Sequence, residues 1–166
     1  MAVKMYKCRK GLKLPVTTQT SQPWIEVNNQ SSSELKELLY TFAKCFTKEL
    51  EHESAYEYSF KNDSDYQAFL FVEEGKMIGG CAFHDLIPGS DCSMPKLQWV
   101  WLIPSKRRKG HFQGLWDEFT GDLNQMAIGC PIEELMQAFI NKQTYWRVMY
   151  KDDLTAESGT VFLERT

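Results

Sequence analysis

The chain has 166 residues, 19 Lys+Arg against 22 Asp+Glu, a formal net charge of -3, and 43% hydrophobic and 13% aromatic residues. That length suits one domain with its own core, needing neither disulfides nor metal to fold, and the aromatic content excludes a disordered chain. The slight acid excess speaks against a dedicated nucleic-acid binder, which carries a basic surplus, and leaves room for an amine-bearing substrate.

The five cysteines, Cys8, Cys45, Cys81, Cys92 and Cys130, are odd in number and show no C-x-x-C spacing, and His52, His84 and His111 are scattered. Neither a disulfide framework nor a metal site is expected from that pattern. No apolar run approaches the ~18–20 residues of a membrane span, and the basic start (Lys4, Lys7, Arg9, Lys10, Lys13) lacks the apolar stretch of a signal peptide. A reduced, soluble, cytoplasmic protein is expected, with 1–23 as a basic, polar arm and 24–166 as the folded domain.

In chain order, residues 24–27 (W-I-E-V) predict a short strand. Ser31 with Glu34 fits a capping box, and Leu35, Leu38, Leu39, Phe42, Ala43 and Phe46 follow the i, i+3, i+4 spacing of an amphipathic helix. The acidic, tyrosine-bearing stretch 49–65 predicts a short helix or an irregular lid. Residues 68–84 predict a β-hairpin turning at Glu73 to Lys76, 87–95 a loop, and 97–103 (L-Q-W-V-W-L-I) a strand ended by Pro104. Phe112, Leu115, Trp116 and Phe119 form one helical face, stopped by Gly121. Residues 123–128 predict a strand. Pro131 suits the first turn of a helix with Leu135, Met136, Phe139 and Ile140 as its apolar face, and 145–150 and 160–163 predict the last strands. Strands alternating with helices give a mixed α/β sheet.

The stretch 97–119 carries the most chemistry. A strand running through a glycine-containing loop into a helix leaves the first-turn N–H groups of that helix without intrahelical acceptors, and its dipole favours an anion. The cations Lys106, Arg107, Arg108 and Lys109 add attraction for phosphate, and Gly110 lets the backbone approach closely. A solvated basic loop is the alternative reading of the same residues.

Pro104 to Leu115 (P-S-K-R-R-K-G-H-F-Q-G-L) resembles motif A of the GNAT superfamily of acetyl-CoA-dependent N-acetyltransferases. Pro104, Arg107, Lys109, Gly110 and Leu115 fall at the matching positions, with Leu102 at the hydrophobic position before Pro104. The resemblance extends over about 24–150, through the hairpin with Ile78 and Gly79 and through Gly121, Asp122, Cys130, Pro131, Ile132, Met136, Phe139 and Lys142. It implies a single-domain GNAT-like mixed sheet whose central parallel strands splay apart, flanked by helices. It also implies that backbone N–H groups of Arg107, Arg108, Lys109, Gly110, His111, Phe112 and Gln113 hold the pyrophosphate of acetyl-CoA. Backbone of Trp101, Leu102 and Ile103 is implied to bind the pantetheine arm. The sequence departs from the family pattern at four places: Phe112 stands where Gly or Ala is usual, Ile140 where a Tyr acid is common, Glu133 where Asn is common, and Lys96 where a Glu base is common.

For an amine acceptor the remaining need is a place for the proton. His84, ending a strand beside Asp85, is the candidate base; His111 is read as positional. Cys81 and Cys130 are read as packing cysteines rather than nucleophiles, and Glu73 and Glu74 as solvated turn residues. Trp99 and Trp101 share a strand face as core or as an aromatic wall of the acceptor pocket. The expected function is acetyl transfer from acetyl-CoA to an amine, small molecule or protein, by direct attack in a ternary complex. The alternatives are a GNAT-like acyl-CoA-binding or protein-interaction module, and, less in keeping with the charge, a nucleic-acid-binding domain using Lys106 to Lys109 and the tryptophans. Acceptor, acyl chain and oligomeric state are open at this point.

Overall fold

A computed structural model describes residues 12–13, 21–49, 66–85, 94–129, 134–152 and 160–166. The strands are β1 (Leu12–Lys13), β2 (Trp24–Val27), β3 (Tyr66–Glu73), β4 (Lys76–Asp85), β5 (Pro95–Leu102), β6 (Gln125–Gly129), β7 (Trp146–Asp152) and β8 (Thr160–Arg165). The helices are α1 (Ser33–Glu49), α2 (His111–Phe119) and α3 (Glu134–Lys142), with a 3-10 turn at Pro104–Lys106. Among the described residues these strands make one mixed sheet in the order β2-β3-β4-β5-β6-β8-β7, with β1 added to β4 through Leu12–Met77 and Lys13–Lys76. The second-helix expectation within 49–65, the loop at 87–95 up to position 93, and Pro131 lie outside the described residues. No described helix is long and apolar enough to cross a membrane.

The local rules account for most boundaries. The α1 cap is shifted by one residue from the expected capping box. Ser32 Oγ accepts the Leu35 N–H at 3.4 Å, while Ser31 Oγ accepts the Asn28 N–H at 2.9 Å and closes the preceding turn. Adjacent serines let geometry choose the cap, since either hydroxyl satisfies an N-terminal N–H. The β3–β4 hairpin turns on Glu74 and Gly75, both at positive φ (49° and 72°), the twist-matched two-residue turn. Pro95 opens β5 rather than ending the loop before it, as a proline at a strand start can.

Cross-strand pairing separates the two faces of the sheet. Phe69, Cys81 and Val100 fall in one cross-strand row, and Gly80 and Trp101 in the next. On the second face α1 packs, with Phe42 against Trp101 (ring centroids 5.8 Å apart) and Phe46 against Trp99 (6.3 Å). On the first face α2 packs through Phe119 against Phe69 and Phe83, and through Phe112 against Phe71. Phe139 of α3 joins Phe112 and Trp116, and Trp116 meets Trp146. Phe42, Phe71, Phe83, Trp99 and Trp116 are fully buried, each such apolar side chain contributing about 1.5–3 kcal/mol by leaving water.

Two irregularities in the sheet create space. Ala82 pairs with Trp99 but Phe83 with Leu97, so Gln98 is an extra residue, a β-bulge in β5. β5 and β6, the parallel pair, share a ladder of only two register pairs, Lys96–Ala127 and Leu97–Ile128. Beyond Leu97, β5 runs on to Leu102 without β6 beside it. The two central parallel strands therefore splay, starting at the bulge.

Candidate active site

A cavity of about 580 Å³ fills the gap between β5 and β6. Its walls are β5 from Leu97 to Leu102, Ile128 and Gly129 of β6, the loop and first turn of α2 (Arg107, Arg108, Gly110, His111, Phe112, Gln113), Met136, Phe139 and Lys142 of α3, and Phe46 and Glu49 of α1. Of the residues expected at the site, Trp101, Leu102, Arg107, Arg108, Gly110, His111, Phe112 and Gln113 line this one cavity. Ile103, Lys109 and His84 are not in its wall.

Backbone parity decides which groups of β5 face the gap. The Ile103 N–H donates to the Ile78 carbonyl at 2.9 Å. Antiparallel pairing alternates, so Ile103 and Trp101 direct their backbone groups to β4, whereas Val100 and Leu102 turn theirs to the open side. The Leu102 carbonyl is already taken by Arg107 Nε, at 2.9 Å. Val100 was not singled out from the sequence; its parity depends on the register with β4, which residue types alone do not disclose.

The loop that follows is shaped by two left-handed residues, Arg108 (φ 61°) and Gly110 (φ 84°). Gly110 is the N-cap of α2 and no side chain caps it, so the N–H groups of His111, Phe112 and Gln113 have no capping side-chain acceptor, while the Gly110 carbonyl takes the Gly114 N–H at 3.1 Å. A Cβ built at Gly110 meets nothing within 4 Å. Phe112 is buried among Phe71, Trp116 and Phe139, so its ring belongs to the helix's apolar face and does not crowd the loop.

The four cations divide into two pairs. Lys106 forms an ion pair with Glu73, and His111 Nε2 lies 3.4 Å from the same carboxylate, buried and without a hydrogen bond. Glu73, expected to be solvated, is thus a partner of the loop, and the Lys106 ammonium beside it holds its carboxyl below the ordinary value. Arg107 donates from its two terminal nitrogens to the two oxygens of Glu49, each at 2.7 Å. Trp101 Nε1 donates to Glu49 Oε2 at 2.6 Å, and the guanidinium lies 5.5 Å from the Trp101 ring centroid. Arg108 and Lys109 are exposed and in no ion pair among the described residues. Of the four loop cations, these two keep their charge facing solvent, and Arg108 lines the cavity together with Lys142 of α3.

Arg107, chiefly by its hydrogen bonds, holds the Glu49 carboxyl below its ordinary value of 4.5, against the opposing effect of burial. A lowered carboxyl pKa in the folded state adds stability that is present above the unfolded value and is lost as pH falls through the folded value. The Glu49 side chain is 38% exposed, so solvent screening limits the gain to about 1 kcal/mol. Glu49→Gln should lower stability by that amount at pH 7 and by progressively less as pH falls below 4.5, as thermal unfolding across pH will record.

The catalytic candidates fall in different places. His84 is half-buried on β4, opposite Lys96 and Tyr66 in the sheet register. Cys81 is fully buried, and burial pushes its thiol well up, which removes it as a nucleophile near neutral pH. Cys130 lies outside the described residues. Ile140, at the position where the resemblance expects an acid, is 4% exposed within the core, and Tyr145, the first tyrosine after it, is 71% exposed outside the cavity wall. Ile140→Tyr should therefore cost about 1–3 kcal/mol by overpacking and bring no rate gain, checked by denaturant unfolding beside a turnover assay. Trp99 and Trp101 take the core role, packing on α1, and also line the cavity between β5 and β6.

No protein-family model matches the chain, and no curated protein matches it in sequence. Solved structures match it in fold. An acetyltransferase of the GNAT family from Staphylococcus aureus Mu50 is 12% identical with a TM-score of 0.58, covering 84% of this chain and 97% of that one. An aminoglycoside 6'-N-acetyltransferase complexed with coenzyme A is 11% identical with a TM-score of 0.52, over 86% of this chain and 96% of the other. The ribosomal-protein-S18-alanine N-acetyltransferase from Escherichia coli is 9% identical with a TM-score of 0.52, over 84% and 91%.

Proposed function

Since the chain has the fold of the GNAT acetyltransferases, we propose that it transfers an acetyl group from acetyl-CoA to an amine, by direct attack in a ternary complex. The observation that carries this reading is the cavity in the β5–β6 splay, with the uncapped start of α2 at its wall. The residues present fit the cofactor. The first-turn N–H groups of His111, Phe112 and Gln113 suit a diphosphate, with Arg108 and Lys109 as outer cations, and the open space at Gly110 is where a backbone-hugging anion needs room. Val100, and Leu102 through its N–H, offer open-edge backbone to an amide-bearing arm. When bound, acetyl-CoA supplies an activated acyl group on a thiol whose pKa of about 8–9 makes it a tolerable leaving group.

The chain's own part is to position, to exclude water and to accept a proton. Trp99, Trp101, Phe139 and Met136 make a mostly apolar wall around the gap, which excludes water from the acyl group. Orienting two reactants in one cleft supplies much of the acceleration expected of such a site. The acceptor's proton passes to solvent or to His84, the base named from the sequence. Two of the solved structures above act, by their names, on an aminoglycoside and on an S18 alanine, and an amine-bearing acceptor is carried over from them.

A second reading is favoured by one observation. Among the described residues, the titratable groups in the cavity wall are cations, an imidazole, and a carboxylate already paired with Arg107. That arrangement suits an acyl-CoA-binding module with little catalysis. Calorimetry with CoA followed by thiol release over a panel of amines separates the two. Binding with turnover supports the transferase, binding without turnover on any amine supports the module, and absence of CoA binding defeats both.

A further inference from the structure

We propose, resting on the reading of the 107–113 loop as a diphosphate cradle, that Glu49 is a positioning residue for that loop and acts through Arg107. A carboxylate in the wall of an anion-binding cavity opposes the ligand unless its charge is already neutralised. Glu49, the last residue of α1, meets that condition: both oxygens accept from Arg107, and Oε2 also accepts from Trp101 Nε1. Arg107 is held in turn at its third nitrogen by the Leu102 carbonyl. One guanidinium therefore ties together the end of α1, the open edge of β5 and the start of the loop.

The loop needs that tie. Arg108 sits in the left-handed region, a strained state for a residue with a Cβ, which persists only where its surroundings enforce it. Downstream of Arg107 the exposed Arg108 and Lys109 side chains supply no such restraint. Without Glu49 the Arg107 charge is left half-buried and unpaired, so it turns to solvent or to the anion itself, and the backbone at Arg108 turns with it. Glu49 thus keeps the diphosphate on backbone N–H groups and keeps Arg107 off it.

The test uses the full chain and Glu49→Gln, which preserves shape and removes the charge. CoA affinity by calorimetry should fall about tenfold, the loss expected when one charge-assisted contact is disordered, while pantetheine, which has no diphosphate, binds as to the parent. In the ligand-free protein, amide hydrogen exchange over 107–112 should speed up with that of β8 unchanged. Arg107→Lys keeps the charge but loses the fork and should give the same changes, with the double variant no worse than either single one. If Glu49→Gln does not fold, Arg107→Lys decides by the same readouts. Unchanged CoA affinity and exchange, equal loss of pantetheine, or tighter CoA binding, as simple repulsion by Glu49 requires, would each overturn the proposal. Failure of the parent protein to bind CoA would instead overturn the proposed function, and the ligand-free exchange still decides the role of Glu49.

Discussion

Gly79→Ala is expected to lower stability by at least ~3 kcal/mol, a large share of the 5–15 kcal/mol typical of a domain. A Cβ at Gly79 would fall far inside van der Waals contact with the Trp101 carbonyl oxygen, and within 2.9 Å of the Leu102 Cα. Both obstacles are backbone of the neighbouring strand, so no side-chain rotation relieves them. The β4–β5 ladder must part where it defines the open edge of β5. Gly75→Ala is the internal comparison. It sits at φ 72° with nothing within 4 Å of its Cβ, so it carries only the left-handed penalty of about 1–2 kcal/mol. Denaturant unfolding of the two variants measures the difference; equal losses would contradict the register.

Gly110→Val is expected to weaken CoA binding by at least ~100-fold while the fold survives. The same open space argues both halves of that statement. No protein atom lies within 4 Å of the added Cβ, so the core is untouched and the stability loss is limited to about 1–2 kcal/mol from φ 84°. A branched side chain there occupies the approach to the first-turn N–H groups of α2, where one misplaced contact is enough to cost about 100-fold. Calorimetry with CoA, paired with far-UV circular dichroism, reads both quantities. A folded variant that keeps parent affinity would remove the loop from the site.

The strands and helices were legible because their signals are local. The 35–46 periodicity, the hairpin at 68–84 and the Pro-ended strand before the loop each depend on neighbours within a turn or a pleat. What was not legible depends on register and on distance. The bulge at Gln98 resets which β5 residues face which side, so Val100 rather than Ile103 presents backbone to the gap. Glu49 and Arg107 are 58 positions apart, and in sequence Glu49 looked like the first residue of an acidic connection. Glu73 looked solvated because hairpin turns usually are, until β3 carried it beside Lys106. Ile140 was placed at the acid position by the family resemblance alone, whereas the apolar periodicity of 135–140 put it on the buried face, where α3 holds it while Met136 and Phe139 line the cavity. The phosphate-loop chemistry was readable for the opposite reason: a strand, a glycine and a helix start are contiguous.

The most direct test is amide NMR of the parent protein titrated with CoA. Saturable binding is expected, with the largest shifts at His111, Phe112 and Gln113 and at Val100 and Leu102, while Trp101 and Ile103, whose backbone groups are committed to β4, move little. Binding that saturates with the His111 to Gln113 amides unmoved, or no binding at millimolar CoA, would contradict the proposed site.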